Sequence, residues 1–305
     1  MLLKLKQVSC SYSPEKTVLS IEELEIQNNE LVFFIGASGV GKSTLLETLG
    51  LMNNTVKWHS YSKFDYLFNG KPVDYTKVWE SDSEKNKYRK HFFSFIFQDD
   101  NLFESMSVIE NAISARIIQS DEIDFTYKRA LILCSSFLKE LWDNECDASN
   151  KLIDESLSEI EKVKFLNSIS YHELSIFKKL KSRPIVHLSG GQKQRLSFIR
   201  AVISDYKLLF ADEPTGNLDM KKADEVIAFL KKHLKSRSAI IVSHDLRLAA
   251  LFGDRIVLIQ KKEKNQQNLG VINSDSIFHK EDDKWVLDNK KIDNETFINH
   301  LESQL

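Results

Sequence analysis

The sequence predicts an α/β chain built on a parallel sheet, with an all-helical insertion in its middle. Three observations carry this. A continuous apolar run, LVFFI at residues 31–35, leads into a glycine-rich loop and then the helically spaced KSTLLETLGLM. After residue 188, helical and strand-like segments alternate in QKQRLSFIRAVI, KLLFA, ADEVIAFLKKHL and SAIIVS. Residues 121–181 contain neither glycine nor proline and are rich in Leu, Ile, Glu, Lys and Ser, so helices dominate there. Strands that are apolar without alternation are those buried on both faces of a parallel sheet, and alternation of strand with helix is the pattern that builds one.

In chain order, LLKLKQV and TVLSIEELEI read as strands separated by polar turns, and LVFFI as a doubly buried strand. From about residue 84 to 120 the pattern passes from the basic EKNKYRK through the strand-like FFSFIF to the helical MSVIENAISARII. The glycine-free helical insertion follows, and then the alternating α/β segments. The tail, residues 261–305, is polar, with one short strand-like pair, LGVIN and KWVLD, and a final amphipathic stretch, ETFINHLESQL; it reads as a surface appendage without chemistry.

The 42 basic and 44 acidic side chains leave a formal net charge of -2, which removes any global pull toward nucleic acid or anionic lipid. No apolar run approaches the ~20 residues of a spanning helix. The start, MLLKLKQVSCSYS, lacks the apolar stretch and cleavage site of a signal peptide, so the expected location is cytoplasmic. Cys10, Cys134 and Cys146 lack C-x-x-C spacing and read as core or surface thiols rather than a disulfide framework or a zinc site. There is no internal repeat.

Glycine is scarce. The chain has 10, where average usage of about 7% would give roughly twice as many. Six of them, Gly36, Gly39, Gly41, Gly190, Gly191 and Gly216, fall in three motifs, which decides against ordinary turn glycines. GASGVGKST, from Gly36 through Ala37, Ser38, Gly39, Val40, Gly41, Lys42 and Ser43 to Thr44, has the G-x-x-x-x-G-K-S/T spacing between a buried strand and a helix. Such a loop turns successive backbone N–H groups toward β- and γ-phosphates, and the helix N-terminus adds partial positive charge. Lys42 is expected to reach the phosphates and Ser43 to ligate Mg²⁺. KLLFADE, residues 207–213, ends a buried strand in two carboxylates. Alone, that pattern also fits a loop; paired with the phosphate loop, it places Asp212 to hold Mg²⁺ and Glu213 to orient or deprotonate an attacking water.

GKST, LSGGQ, ADEP and SHD occur in that order across residues 1 to about 260, and in this the chain resembles the ATP-binding cassette (ABC) ATPases. The resemblance implies an α/β P-loop NTPase fold with an N-terminal antiparallel β subdomain, a RecA-like parallel-sheet core and an inserted helical subdomain. It implies that Ser189, Gly190, Gly191 and Gln192 of LSGGQ present backbone and hydroxyl donors to a γ-phosphate held by a second copy of the chain. Gln98 matches the glutamine that senses Mg²⁺ and water, His244 the switch histidine, Tyr12 the aromatic stacked on adenine, and Asp219 the loop that communicates across the dimer. Read without the resemblance, Gln98 is a surface residue, His244 a structural histidine and Tyr12 a packed aromatic.

ADEPTGNLD and FIFQDDNLFESMSVIENA look most like the subgroup serving lipoprotein release, macrolide export and the related cell-division complex. The implied activity is hydrolysis of ATP with Mg²⁺ by a head-to-tail dimer that drives separate integral membrane permease subunits, in export or in extraction of lipoprotein, peptide or drug. That places the chain on the inner face of the cell membrane through its partners, with no nucleic acid involved. The expected domains are a cassette at 1–260, containing a helical subdomain at about 99–187 with an extended segment at 118–187, and a polar extension at 261–305. A regulatory ATPase signalling through a membrane partner without transport remains the alternative. A DNA-repair ATPase would need long coiled-coil arms between Gln98 and LSGGQ, and a translation factor would carry two cassettes.

Overall fold

Hydrogen-bonded strands set the frame of this computed structural model, which describes residues 2–13, 16–58, 62–68, 71–119, 122–138, 141, 148–154, 156–235, 237–264 and 267–305. Cys146 lies outside the described residues; Cys10 and Cys134 are buried thiols.

Strands β1 (Leu3–Ser13) and β2 (Lys16–Ile26) pair antiparallel, as alternation of buried and exposed side chains along both requires. Strand β3 (Leu31–Gly36) is buried at every position and runs into helix α1 (Lys42–Leu49). The short β4 (Val56–Lys57), then β5 (Lys63–Phe68) and β6 (Lys71–Asp74), extend the antiparallel region; β4 and β5 both pair with β1. Helices α2 (Tyr75–Trp79) and α3 (Asp82–Phe92) follow, each capped by a side chain, Asp74 and Ser81 respectively. The basic EKNKYRK therefore lies on a helix that continues to Phe92, and the strand expected over FFSFIF shortens to β7 (Phe93–Ile96).

Residues 99–205 with 217–219 form one compact unit, and the rest of the chain another. The smaller unit is helical: α4 (Val108–Gln119), α5 (Ile123–Phe137), α6 (Asn150–Ile153), α7 (Glu159–Ser168), α8 (Ser175–Ser182) and α9 (Gly190–Ile203). It reaches past the expected boundary at 187 because α9 packs on α4 and α5, burying Leu196, Phe198 and Ile199.

The larger unit resumes with β8 (Leu208–Asp212), α10 (Met220–Leu234), β9 (Ser238–Val242), α11 (Leu246–Phe252) and β10 (Arg255–Lys264). Strands β10, β3, β9, β8 and β7 lie side by side in that order and are all parallel. The polar tail is not an appendage. Its strand β11 (Gln267–Ile272) pairs antiparallel with β10 and parallel with β2, joining the antiparallel region to the parallel block in one sheet. Without it both neighbours would present open edges. A boundary at residue 260 would cut through β10, so the sheet does not divide there. LGVIN and KWVLD do not pair with each other: the latter is β13 (Lys284–Leu287), between β12 (Ile277–Glu281) and β14 (Lys290–Ile292), before a last helix α12 (Asn294–Glu302). Among the described residues, no helix is long and apolar enough to cross a membrane.

Candidate active site

Parallel register brings the chemistry-bearing loops together. Phe34 of β3 lies beside Val242 of β9, Val242 beside Asp212 of β8, and Ala211 beside Ile96 of β7. The carboxyl ends of four adjacent strands are therefore level. From them leave the glycine loop, His244, Glu213 and Gln98 respectively, which is where open parallel sheets bind ligands.

Between β3 and α1 the backbone takes two turns that only glycine makes without strain, with φ of 73° at Gly39 and 99° at Gly41. A Cβ on Gly36 would meet the Ile259 carbonyl oxygen at 2.7 Å and Val40 Cγ1 at 2.9 Å. Helix α1 starts at Gly41 with no side-chain cap and no acid in its first turn, so no side-chain oxygen competes for its N-terminal N–H groups. Beyond the cap, Lys42 is only 6% exposed. Its Nζ donates to the carbonyls of Gly36 at 2.8 Å and Ala37 at 3.1 Å, so the ammonium lies against the loop.

Three elements converge on a titratable cluster. His244 Nε2 lies 3.2 Å from Lys42 Nζ and 3.3 Å from Glu213 Oε1. A single ring nitrogen can accept from the ammonium or donate to the carboxylate, not both at once. Glu213 Oε1, buried and within ion-pair range of the histidine, accordingly has no hydrogen bond of proper geometry. Burial pushes the Glu213 carboxyl above its ordinary range, against the charges of His244 and Lys42. Burial lowers Lys42 in turn, opposed by Glu213 and Asp212. Glu213 also holds the left-handed backbone at φ 45°, its N–H donating to the Val242 carbonyl at 3.0 Å. A non-glycine residue in that region at the mouth of a site is strain retained by its surroundings.

These residues fit a nucleoside triphosphate and Mg²⁺. An uncapped helix N-terminus and a buried ammonium suit phosphate, Asp212 and the exposed Ser43 are hard oxygen donors, and the orphaned Glu213 oxygen can take a proton. Tyr12, 59% exposed at the end of β1, shares a hydrogen bond of 2.9 Å between its hydroxyl and that of Thr44 in the first turn of α1. Gln98 is exposed two residues beyond β7.

The other predicted residues belong to the helical unit. Ser189 caps α9: its hydroxyl oxygen accepts from the Gln192 N–H at 3.3 Å, while Gln192 Oε1 accepts from the Ser189 N–H at 3.0 Å. The hydroxyl proton of Ser189 is left to donate elsewhere. A Cβ on Gly190 would meet nothing within 4 Å, and one on Gly191 only Leu218 Cδ2 at 3.5 Å. Among the described residues, no neighbour requires those glycines. Asp219 is exposed, just before α10.

One residue of the site escaped the sequence reading. A Cβ on Gly270 of β11 would lie 2.1 Å from the Val40 carbonyl oxygen, so the tail strand passes directly behind the glycine loop. The available signal was glycine scarcity itself, since Gly270 is the only glycine of residues 261–305.

Residues 19–216 match the family profile described as ABC transporter. The lipoprotein-releasing system ATP-binding protein LolD of Rickettsia conorii is 31% identical over 256 residues, covering 81% of this chain and 90% of that protein. The macrolide export ATP-binding/permease protein MacB of Pasteurella multocida is 28% identical over 267 residues, and the alignment spans only 33% of its length. A solved dimer of the ATP-binding cassette MJ0796, in a post-hydrolysis state bound to ADP and Pi, superposes with a TM-score of 0.55 at 24% identity, covering 84% of this chain and 94% of that one; at that identity the likeness speaks to the fold. With its strand order, loop geometry and matched profile, the chain belongs to the ABC transporter family as an ATP-binding cassette.

Proposed function

We propose that this cassette hydrolyses ATP as the engine of a membrane transport complex, with Glu213 as the base. The observation that carries the reading is the Lys42–His244–Glu213 cluster, where a phosphate-seeking ammonium and a buried carboxylate with an orphaned oxygen meet at one imidazole. Loop amides and Lys42 hold the phosphates, Glu213 accepts the proton of the attacking water, and His244, within ion-pair range of the carboxylate, faces the terminal phosphate. Mg²⁺, taken by Ser43 and Asp212 with Gln98, supplies charge neutralisation on the phosphates. Tyr12 offers the exposed ring for adenine.

The donors of Ser189, Gly190, Gly191 and Gln192 complete the site of a second copy, with Asp219 in communication between copies. The open space over Gly190 supports this, because among the described residues no atom lies within 4 Å of where its Cβ would be. Separate permease subunits receive the force through the segment 118–187. Ile118, Ile123 and Phe125, exposed at 66%, 52% and 45%, give apolar surface at its start. The names of these relatives, a lipoprotein-releasing system and a macrolide exporter, favour export or extraction of a lipoprotein or drug; a peptide cargo and a place on the inner face of the membrane belong to the same reading.

Glu213→Gln keeps shape and removes the base. Turnover should fall roughly 10²-fold or more while ATP binding, read by calorimetry, survives. Because the base works deprotonated and burial raises its pKa, wild-type kcat should be lost as pH falls through a value above the ordinary glutamate range. Residual Glu213→Gln turnover should lack that acid limb; near-normal turnover in the variant sinks the assignment.

A further inference from the structure

We infer that the C-terminal hairpin and helix, residues 277–302, brace the helix that follows His244, and that Trp285 is a positioning residue for that histidine. The inference rests on the hydrolytic role of His244 proposed above and extends it to a part of the chain without motifs.

Helix α11 has seven residues, far below the roughly 12 at which an isolated helix becomes even marginally stable. Its position must be imposed from outside. At its start, Ser243 Oγ accepts from the Asp245 N–H at 3.0 Å and Asp245 Oδ1 accepts from the Leu248 N–H at 2.9 Å, so the two residues flanking His244 are tied to each other and to the first turn. A displacement of α11 along its axis is therefore passed to His244.

The far end is held by three donors on three consecutive carbonyls. Trp285 Nε1 donates to Ala250 at 3.1 Å, Lys280 Nζ to Leu251 at 3.1 Å and Lys231 Nζ to Phe252 at 2.7 Å. Terminal carbonyls of a helix have no partner within it, and here each is satisfied by a side chain, two of them from the tail. Two of these donors are cations at the negative end of the helix.

The brace is itself rigid. Trp285 is fully buried, stacked on Phe297 with centroids 4.3 Å apart, and Lys280 Nζ lies 4.9 Å from its ring. Phe278 packs edge-on against Phe297. The hairpin is anchored to the parallel block: β12 pairs with β10, and the Lys280 N–H donates to the Asp254 carbonyl at 3.0 Å. Asp254 in turn accepts from the Leu31 N–H at 2.8 Å, at the start of the strand that leads to the glycine loop. One frame thus fixes both α11 and β3, which sets His244 against Lys42.

Trp285→Phe keeps a ring on Phe297 and removes the Nε1 donor, which serves both the Ala250 carbonyl and Asn294 Oδ1 at 3.1 Å, together with part of the buried indole volume. In the full chain, carbon-13-labelled at histidine and free of nucleotide, the His244 ring signal, assigned by its loss in His244→Ala, should move, while that of His91 on α3 stays. Turnover should fall about tenfold at unchanged KM for ATP, as misplacement of a catalytic group does. In the His244→Ala background, Trp285→Phe should cost nothing further. If Trp285→Phe fails to fold, Lys280→Met removes the donor to Leu251 and the cation over the Trp285 ring while keeping the side chain's length, and is read in the same way. An unmoved His244 signal, or an equal loss of turnover in both backgrounds, overturns the brace. Full turnover in His244→Ala with a moved signal keeps the brace and overturns the hydrolytic role of the histidine.

Discussion

Gly270 shows how far a single residue can matter outside any motif. Alanine there must displace either β11 or the Val40 peptide, since a Cβ would lie 2.1 Å from that carbonyl oxygen. Overpacking of this kind costs about 1–3 kcal/mol, and the peptide that has to move belongs to the proposed phosphate loop. Gly270→Ala should therefore weaken ATP binding about tenfold or more in titration calorimetry, whereas alanine at the exposed Asn268 should not; equal affinities would show that the strand yields and the loop does not. Lys42, Ser43, Asp212 and Glu213 could be proposed as site residues from the sequence because their spacing is local. The closeness of Gly270 to Val40 was not, because 229 intervening residues of chain path decide it. His244 is intermediate: its motif is readable, but its place between Lys42 and Glu213 depends on β9 lying between β3 and β8.

Elements were readable where burial is uniform and obscure where caps decide. The doubly buried β3, β8 and β9 declare themselves by continuous apolar runs. The start of α3 does not, since the cap at Ser81 makes a helix of a segment notable only for its charge. Helix α9 combines both kinds of information. Ser189 is at once its cap and a proposed phosphate donor, and the two roles separate by substitution. Aspartate caps as well as serine does, so Ser189→Asp should leave the unfolding temperature within a few degrees of wild type. It should nevertheless abolish turnover, because a carboxylate repels the terminal phosphate. Preserved turnover in a folded Ser189→Asp protein would confine the residue to capping.

At the scale of the whole molecule, the proposed composite site makes one chain catalytically incomplete. Lys42→Ala and Gly190→Asp should each be inactive alone. When the two proteins are mixed under conditions that exchange subunits, the mixed dimer carries both defects in one site and none in the other, so ATPase activity should partly return. Absence of recovery in a verified mixed dimer counts against the composite reading. By itself the sequence determined the α/β class and the family, and it proposed the residues of the phosphate loop and the carboxylate pair, because these depend on local periodicity and short spacing. The tertiary structure alone decided that the polar tail is internal to the sheet through β11, and that its hairpin caps α11 through Trp285 and Lys280. Strand order and side chain to carbonyl bonds between distant segments are set by which edges and orphan carbonyls must be satisfied in three dimensions, and composition carries no record of that.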